Sequence, residues 1–233
     1  MTTRRLNLYS RNSNVAAGDT ELIAPGGMSG DLTDAGGTLR IKAGGNAGDT
    51  AAGAGCREIT ITGLDATGAE ASETLATAGA LASDSTTTEF YRINEIKITG
   101  MGTALSTQLA DMVIELSAGG DVATMSRGEW GGHHFTVPLG YKAIINKIKM
   151  TSDRAVIDMI VTTYKNSVAG GTAPFSSSEI ARTYYSTGDT VEWIGELTLD
   201  PLELMWIKAR NGNNGNAAIA IITVEITGTL YQI

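Results

Sequence analysis

The residues with the strongest potential for chemistry are His133 and His134, the only two histidines of the chain. They are adjacent, and neighbouring residues of a strand point to opposite faces, so the pair does not converge on one metal ion. Beside Gly131 and Gly132 they read as a strand start after a glycine hinge. The carboxylates are no better arranged. Glu70 and Glu73 are three apart on an expected strand and face opposite sides. Asp84, Glu89, Glu192 and Glu196 show no paired spacing of the kind that glycoside hydrolysis needs. No G-x-S-x-G elbow presents a serine nucleophile. The segment GGNAGDTAAGAG, 44–55, lacks the G-K-[ST] ending of a phosphate loop. Its single aspartate cannot supply a calcium shell. It reads as a flexible or interface-draping loop. Cys56 is the only cysteine, so neither an intrachain disulfide nor a multi-cysteine metal site is possible. The expectation is a chain that is not an enzyme and carries no cofactor and no metal.

Two groups of residues suit binding rather than catalysis. Arg4 and Arg5, with Leu22 and Ile23, lie in the first 36 residues, and Trp130 stands beside a Gly-Gly pair. These are the candidates for contacts between subunits. Tyr184, Tyr185 and Trp193 form the alternative, a glycan-binding face. Trp193 and Trp206 sit within apolar strand patterns, where aromatic rings usually serve packing.

Composition limits the partners. The chain has 233 residues and a formal net charge of −8, which repels phosphate backbones and disfavours direct nucleic-acid binding. No apolar run approaches the roughly 20 residues that span a bilayer, so no membrane partner is expected. The N-terminus has charge but no apolar core of a secretory signal. The charged fraction is 18%, and 29 glycines accompany many Ser, Thr and Ala residues, favouring short strands and tight turns.

The elements that must position these residues are strands. In TLRIKA, Leu39 and Ile41 share one face. REITITG, the turn LDATGAE and ASETLA read as a hairpin with Ile59 and Ile61 inward. Ile96, Ile98, Met112, Ile114 and Leu116 continue the alternation. A second β series follows a Gly-rich stretch, and AVIDMIVTTYKN is apolar on both faces, as a central strand is. The last strand opens apolar from Ala217 to Val224 and belongs in the middle of a sheet. The expected fold is all-β. Residues 1–36 form an extended N-terminal arm, 37–120 a small antiparallel β domain, 121–132 a Gly-rich linker, and 133–233 a jelly-roll-like β-sandwich. The arm is expected to cross to another chain.

Residues 46–99 carry a D-T-A-A-G-x-G-x-R stretch (Asp49–Arg57), a G-L-D-A-x-G-x-E-x-S-E-T stretch (Gly63–Thr74) and an F-x-R-I-N stretch (Phe90–Asn94). FTVPLGYKAIINKIKM and LDPLELMWIKARNGNNGNAAIAIITVEI follow later. Together these resemble virion structural proteins of tailed bacteriophages, over most of residues 46–230. Cys56 stands where that pattern has a small residue. The resemblance implies a non-enzymatic part of a virion, on capsid, collar or tail, made in the host bacterial cytoplasm. It implies a homo-oligomer that meets other capsid or tail proteins, and it transfers no catalytic residue. The alternative is a host-surface glycan recognition module of a phage tail.

Overall fold

A computed structural model describes residues 2–15, 20–22, 36–104, 107–128, 134–153, 157–165, 176–181, 190–211 and 220–233. All regular structure among them is β: fifteen strands and no helix. The chain divides into two compact units. Unit 1 combines Met1–Ile23 with Gly132–Ile233, and unit 2 is Ala24–Gly131.

The chain opens in unit 1 with β1 (Thr3–Val15) and β2 (Thr20–Leu22). Unit 2 holds β3 (Leu39–Ile41), β4 (Cys56–Asp65), β5 (Glu70–Ala76), β6 (Phe90–Met101), β7 (Met112–Leu116) and β8 (Asp121–Met125). The chain then returns to unit 1 with β9 (His134–Thr136), β10 (Tyr141–Ser152), β11 (Ile157–Lys165), β12 (Ser176–Ala181), β13 (Thr190–Leu199), β14 (Leu204–Asn211) and β15 (Ala220–Gln232).

Unit 1 is two antiparallel sheets, ordered β1-β15-β10-β13 and β12-β11-β14-β2, with β9 also on β14. Both sheets feed one core. Leu6, Ile145, Ile148, Met150, Leu199, Val224 and Ile226 come from the first, and Phe135, Met159, Val161, Met205 and Ile207 from the second. Period-2 burial follows the sequence: Ile222, Val224, Ile226 and Leu230 of β15 are all buried. The apolar strands that read as central are central, β15 between β1 and β10, and β11 between β12 and β14. At Asn146 the register of β10 shifts against both neighbours, so Ile145 and Ile148 still face the core across the irregularity.

Strands β2 and β9 lie end to end along one side of β14. Leu22 is opposite Lys208 and His134 opposite Trp206, both antiparallel. Taken as one composite strand, they leave unit 1 with eight strands among the described residues. The first pairs with the last (β1·β15), the second with the seventh (β2/β9·β14), the third with the sixth (β10·β13) and the fourth with the fifth (β11·β12).

Unit 2 is also two antiparallel sheets, β5-β4-β6 and β3-β7-β8. They enclose Leu39, Ile41, Ile59, Ile61, Leu75, Phe90, Ile93, Ile96, Met112, Ile114 and Met125. The hairpin at 57–75 sets Ile59 opposite Leu75 and Thr60 opposite Thr74.

Two segments differ from their expected roles. Within the expected arm, 1–36, residues 3–15 are β1, an edge strand of the chain's own sheet that places Leu6 in the core. The cause is a weak alternation, Leu6 and Leu8 against Arg5, Asn7 and Tyr9, which polar residues obscure in the sequence. The expected linker, 121–132, contains β8, because Val122, Ala123 and Met125 close the core of unit 2.

Candidate functional site

The stretch richest in the motif residues of unit 2 begins with Asp49 in the glycine-rich loop. Asp49 is 2% exposed, and its carboxylate collects backbone N–H groups from two separate segments. Cys56 donates to Oδ1 at 2.7 Å, Leu109 donates to both oxygens at 3.0 and 2.9 Å, and Ala110 donates to Oδ2 at 3.2 Å. A buried carboxylate satisfied this way is a structural clamp. Gly53 N–H donates to the Thr50 carbonyl at 2.8 Å, and Arg57 Nε reaches back to the Gly53 carbonyl at 2.9 Å. Gly55 is required by contact: a Cβ there would overlap Asp49 Oδ1. The loop expected to be flexible or interface-draping is therefore pinned, because its one acidic side chain accepts the backbone N–H groups of Cys56, Leu109 and Ala110.

The second motif is built the same way. Asp65 Oδ1 accepts N–H from Thr67 at 2.8 Å and Ala69 at 3.0 Å, capping the turn between β4 and β5. The Thr67 hydroxyl and these amides hold its carboxyl below the ordinary value. Glu73 of β5 accepts N–H from Thr87 at 2.8 Å and Thr88 at 2.9 Å, tying the Thr-rich segment to the sheet. Burial pushes the Glu73 carboxyl up, and the Thr87 and Thr88 donors together more than offset it, leaving it lowered. Gly63 lies against β6, where a Cβ would overlap the Arg92 carbonyl oxygen. In the third motif, Phe90 and Ile93 are core, and the Arg92 guanidinium stacks 4.0 Å over the Tyr91 ring.

No group of three or more His, Cys, Asp or Glu side chains among the described residues is placed to hold a metal ion. Cys56 is buried, and desolvation first, then the Asp49 charge, push its thiol up to about 12, far from a reactive thiolate. Burial raises the Glu95 carboxyl, with Lys97 opposing. Glu192 is engaged by Lys147 at 2.6 Å, which lowers its carboxyl. No helix among the described residues is long and apolar enough to cross a membrane.

The candidates named for binding fall in several places. Arg4 and Arg5 are exposed on β1, and Arg4 lies 5.6 Å from the Tyr141 ring. Leu22 ends β2 opposite Lys208. Trp193 is half-buried on β13 and packs against the core of unit 1. Ile23, Trp130, His133, Tyr184 and Tyr185 lie outside the described residues. The clamps of Asp49 and Glu73 escaped sequence reasoning. The donors that tie Asp49 to a distant segment sit sixty positions away and those of Glu73 about fifteen, and nothing local marks such partners.

No protein-family profile matches the chain, and no curated protein matches it. Among solved structures, the chain is similar to one described as the structure of infectious bursal disease virus Gt strain. Identity is 10%, coverage is 100% of this chain and 77% of that one, and the TM-score is 0.25. The structure of the Gx strain matches at 9% identity, with 99% and 76% coverage and a TM-score of 0.26. Particles described as infectious bursal virus derived, T=1, match at 9%, with 100% and 74% coverage and a TM-score of 0.27.

Proposed function

We propose that this chain is a non-enzymatic structural component of a bacteriophage virion. It would assemble with copies of itself and with other capsid or tail proteins, after synthesis in the host cytoplasm. The observation that carries the reading is the winding of unit 1. Pairing first strand with last, and so inward, is how a folded-over ribbon rolls into an eight-stranded jelly roll, an architecture that serves viral capsid and lectin domains. The motif residues of unit 2 support it from another side. Asp49, Arg57, Asp65, Glu73 and Phe90 hold turns, loops and core together, as the shared residues of a shape-based protein should.

Lectin use of the same architecture keeps a glycan-binding role as the competing reading, and the packing of Trp193 against the core counts against it. The deciding experiment is to purify intact particles, identify the chain by mass spectrometry and locate it in the density. Repeated copies at symmetry-related positions are expected. A chain absent from particles, or present only on host-bound fibres that release with free glycan, overturns the proposal.

A further inference from the structure

The two edges of the β1-β15-β10-β13 sheet carry opposite charge. Strand β1 bears Arg4, Arg5 and Arg11 and no acidic residue; β13 bears Glu192 and Glu196 and no basic residue. Neither strand has a partner on its outer side among the described residues. Strand β13 also exposes Ile194 at 73%, next to the packed Trp193. A long edge with an exposed aliphatic side chain is a template for another strand.

The geometry favours the strand at the other end of the same sheet. Every pairing in the sheet is antiparallel, so across four strands β1 and β13 run in opposite directions. A second copy placed beside the first in the same orientation therefore brings its β1 antiparallel to β13. The faces agree as well. Leu6 and Ser10 of β1 are buried, as are Val191, Leu197 and Leu199 of β13, while Arg5, Asn7 and Tyr9 and Glu192, Ile194 and Glu196 are exposed. Slipping by one residue would reverse every side chain, so the register moves in steps of two. The step that sets Arg5 across from Glu196 also sets Asn7 across from Ile194 and Tyr9 across from Glu192.

We infer that unit 1 associates head to tail with a second copy of this chain, β1 of one adding to the open edge of β13 of the next, aligned by Arg5 and Glu196. Such a contact uses two different surfaces and so builds closed rings or open filaments rather than an isolated pair. The inference names the contact by which copies of the proposed virion component meet, and to that extent rests on that reading.

The test is charge reversal with rescue in the full chain, followed by sedimentation velocity over a concentration series. Glu196 is preferred to Glu192, which already engages Lys147. Arg5→Glu and Glu196→Lys should each weaken association roughly tenfold, and the double variant should recover it, since like charges across a contact are costly and restored complementarity is not. Wild-type association should also weaken with added salt. Circular dichroism checks that each variant folds, which exposed positions allow. A wild-type monomer at all concentrations, single variants that associate normally, or a double variant as weak as the singles overturns the contact. If particles contain the chain while reversal leaves its association unchanged, the edge contact is wrong and the virion reading stands. If charge rescue works but particles lack the chain, the reverse holds.

Discussion

The Asp49 carboxylate accepts the Leu109 N–H through both of its oxygens, at 3.0 and 2.9 Å, and so joins backbone segments sixty positions apart. The same carboxylate holds the Cys56 N–H at the start of β4. Each amide stranded by its loss costs about 1–3 kcal/mol, so Asp49→Ala should destabilise unit 2 by roughly 3 kcal/mol or more. Urea unfolding monitored on unit 2 measures this; a change within the error of the wild type would contradict the clamp.

Glu73 should contribute to acid sensitivity, alongside Asp65 and Glu192, whose carboxyls are also lowered. Burial raises the Glu73 carboxyl, but the donors from Thr87 and Thr88 leave it below the ordinary value of 4.5. A carboxylate lowered on folding contributes stability that is complete above its unfolded value and is lost as pH falls through the folded one. Glu73→Gln should therefore lower the urea midpoint at neutral pH, and its deficit against the wild type should shrink as pH drops below about 4.5. A deficit that stays constant into acid would show that the carboxylate charge is not the source.

Gly63→Ala tests the close approach of β4 and β6. The added methyl meets the Arg92 carbonyl oxygen, which is backbone and cannot swing aside. Overpacking of this kind costs about 1–3 kcal/mol, toward the upper end where the neighbour is fixed backbone. The readout is a fall in the thermal midpoint of unit 2, and near wild-type stability would refute the approach.

Trp193→Ala separates packing from recognition. The ring packs on the core of unit 1 while remaining half-exposed. The expected loss is about 3 kcal/mol, the low end for truncating an aromatic in a core. Glycan-array binding that disappears while stability is unchanged would instead support the recognition role.

Deleting residues 2–15 removes β1, takes Leu6 out of the core and opens the β15 edge. Unit 1 should lose more than about 3 kcal/mol on that account. Calorimetry of the truncated chain decides it: an undiminished transition would mean that this segment is an arm after all.

What could be read from the sequence tracks how local each cause is. Ile59 and Ile61 alternate with polar residues, and burial follows that alternation directly. The nearly continuous apolar run into β15 told its central place for the same reason. Strand β1 was obscured because only Leu6 and Leu8 declare its inner face among arginines and asparagines, and its partner lies at the far end of the chain. The clamps of unit 2 were hidden for a different reason. An aspartate in a glycine-rich loop looks solvated until the amides of a distant segment are brought to it, and only folding does that.

The end-to-end placement of β2 and β9 on β14 has a practical outcome. The chain departs opposite Lys208 and resumes opposite Trp206, a spacing of two positions or about 7 Å along the strand. More than a hundred residues thus hang from what is, for unit 1, a single nick in one strand. For unit 1 this makes residues 24–131 an insertion within one strand position: β2 and β9 share β14 as their neighbour although the insertion separates them in sequence.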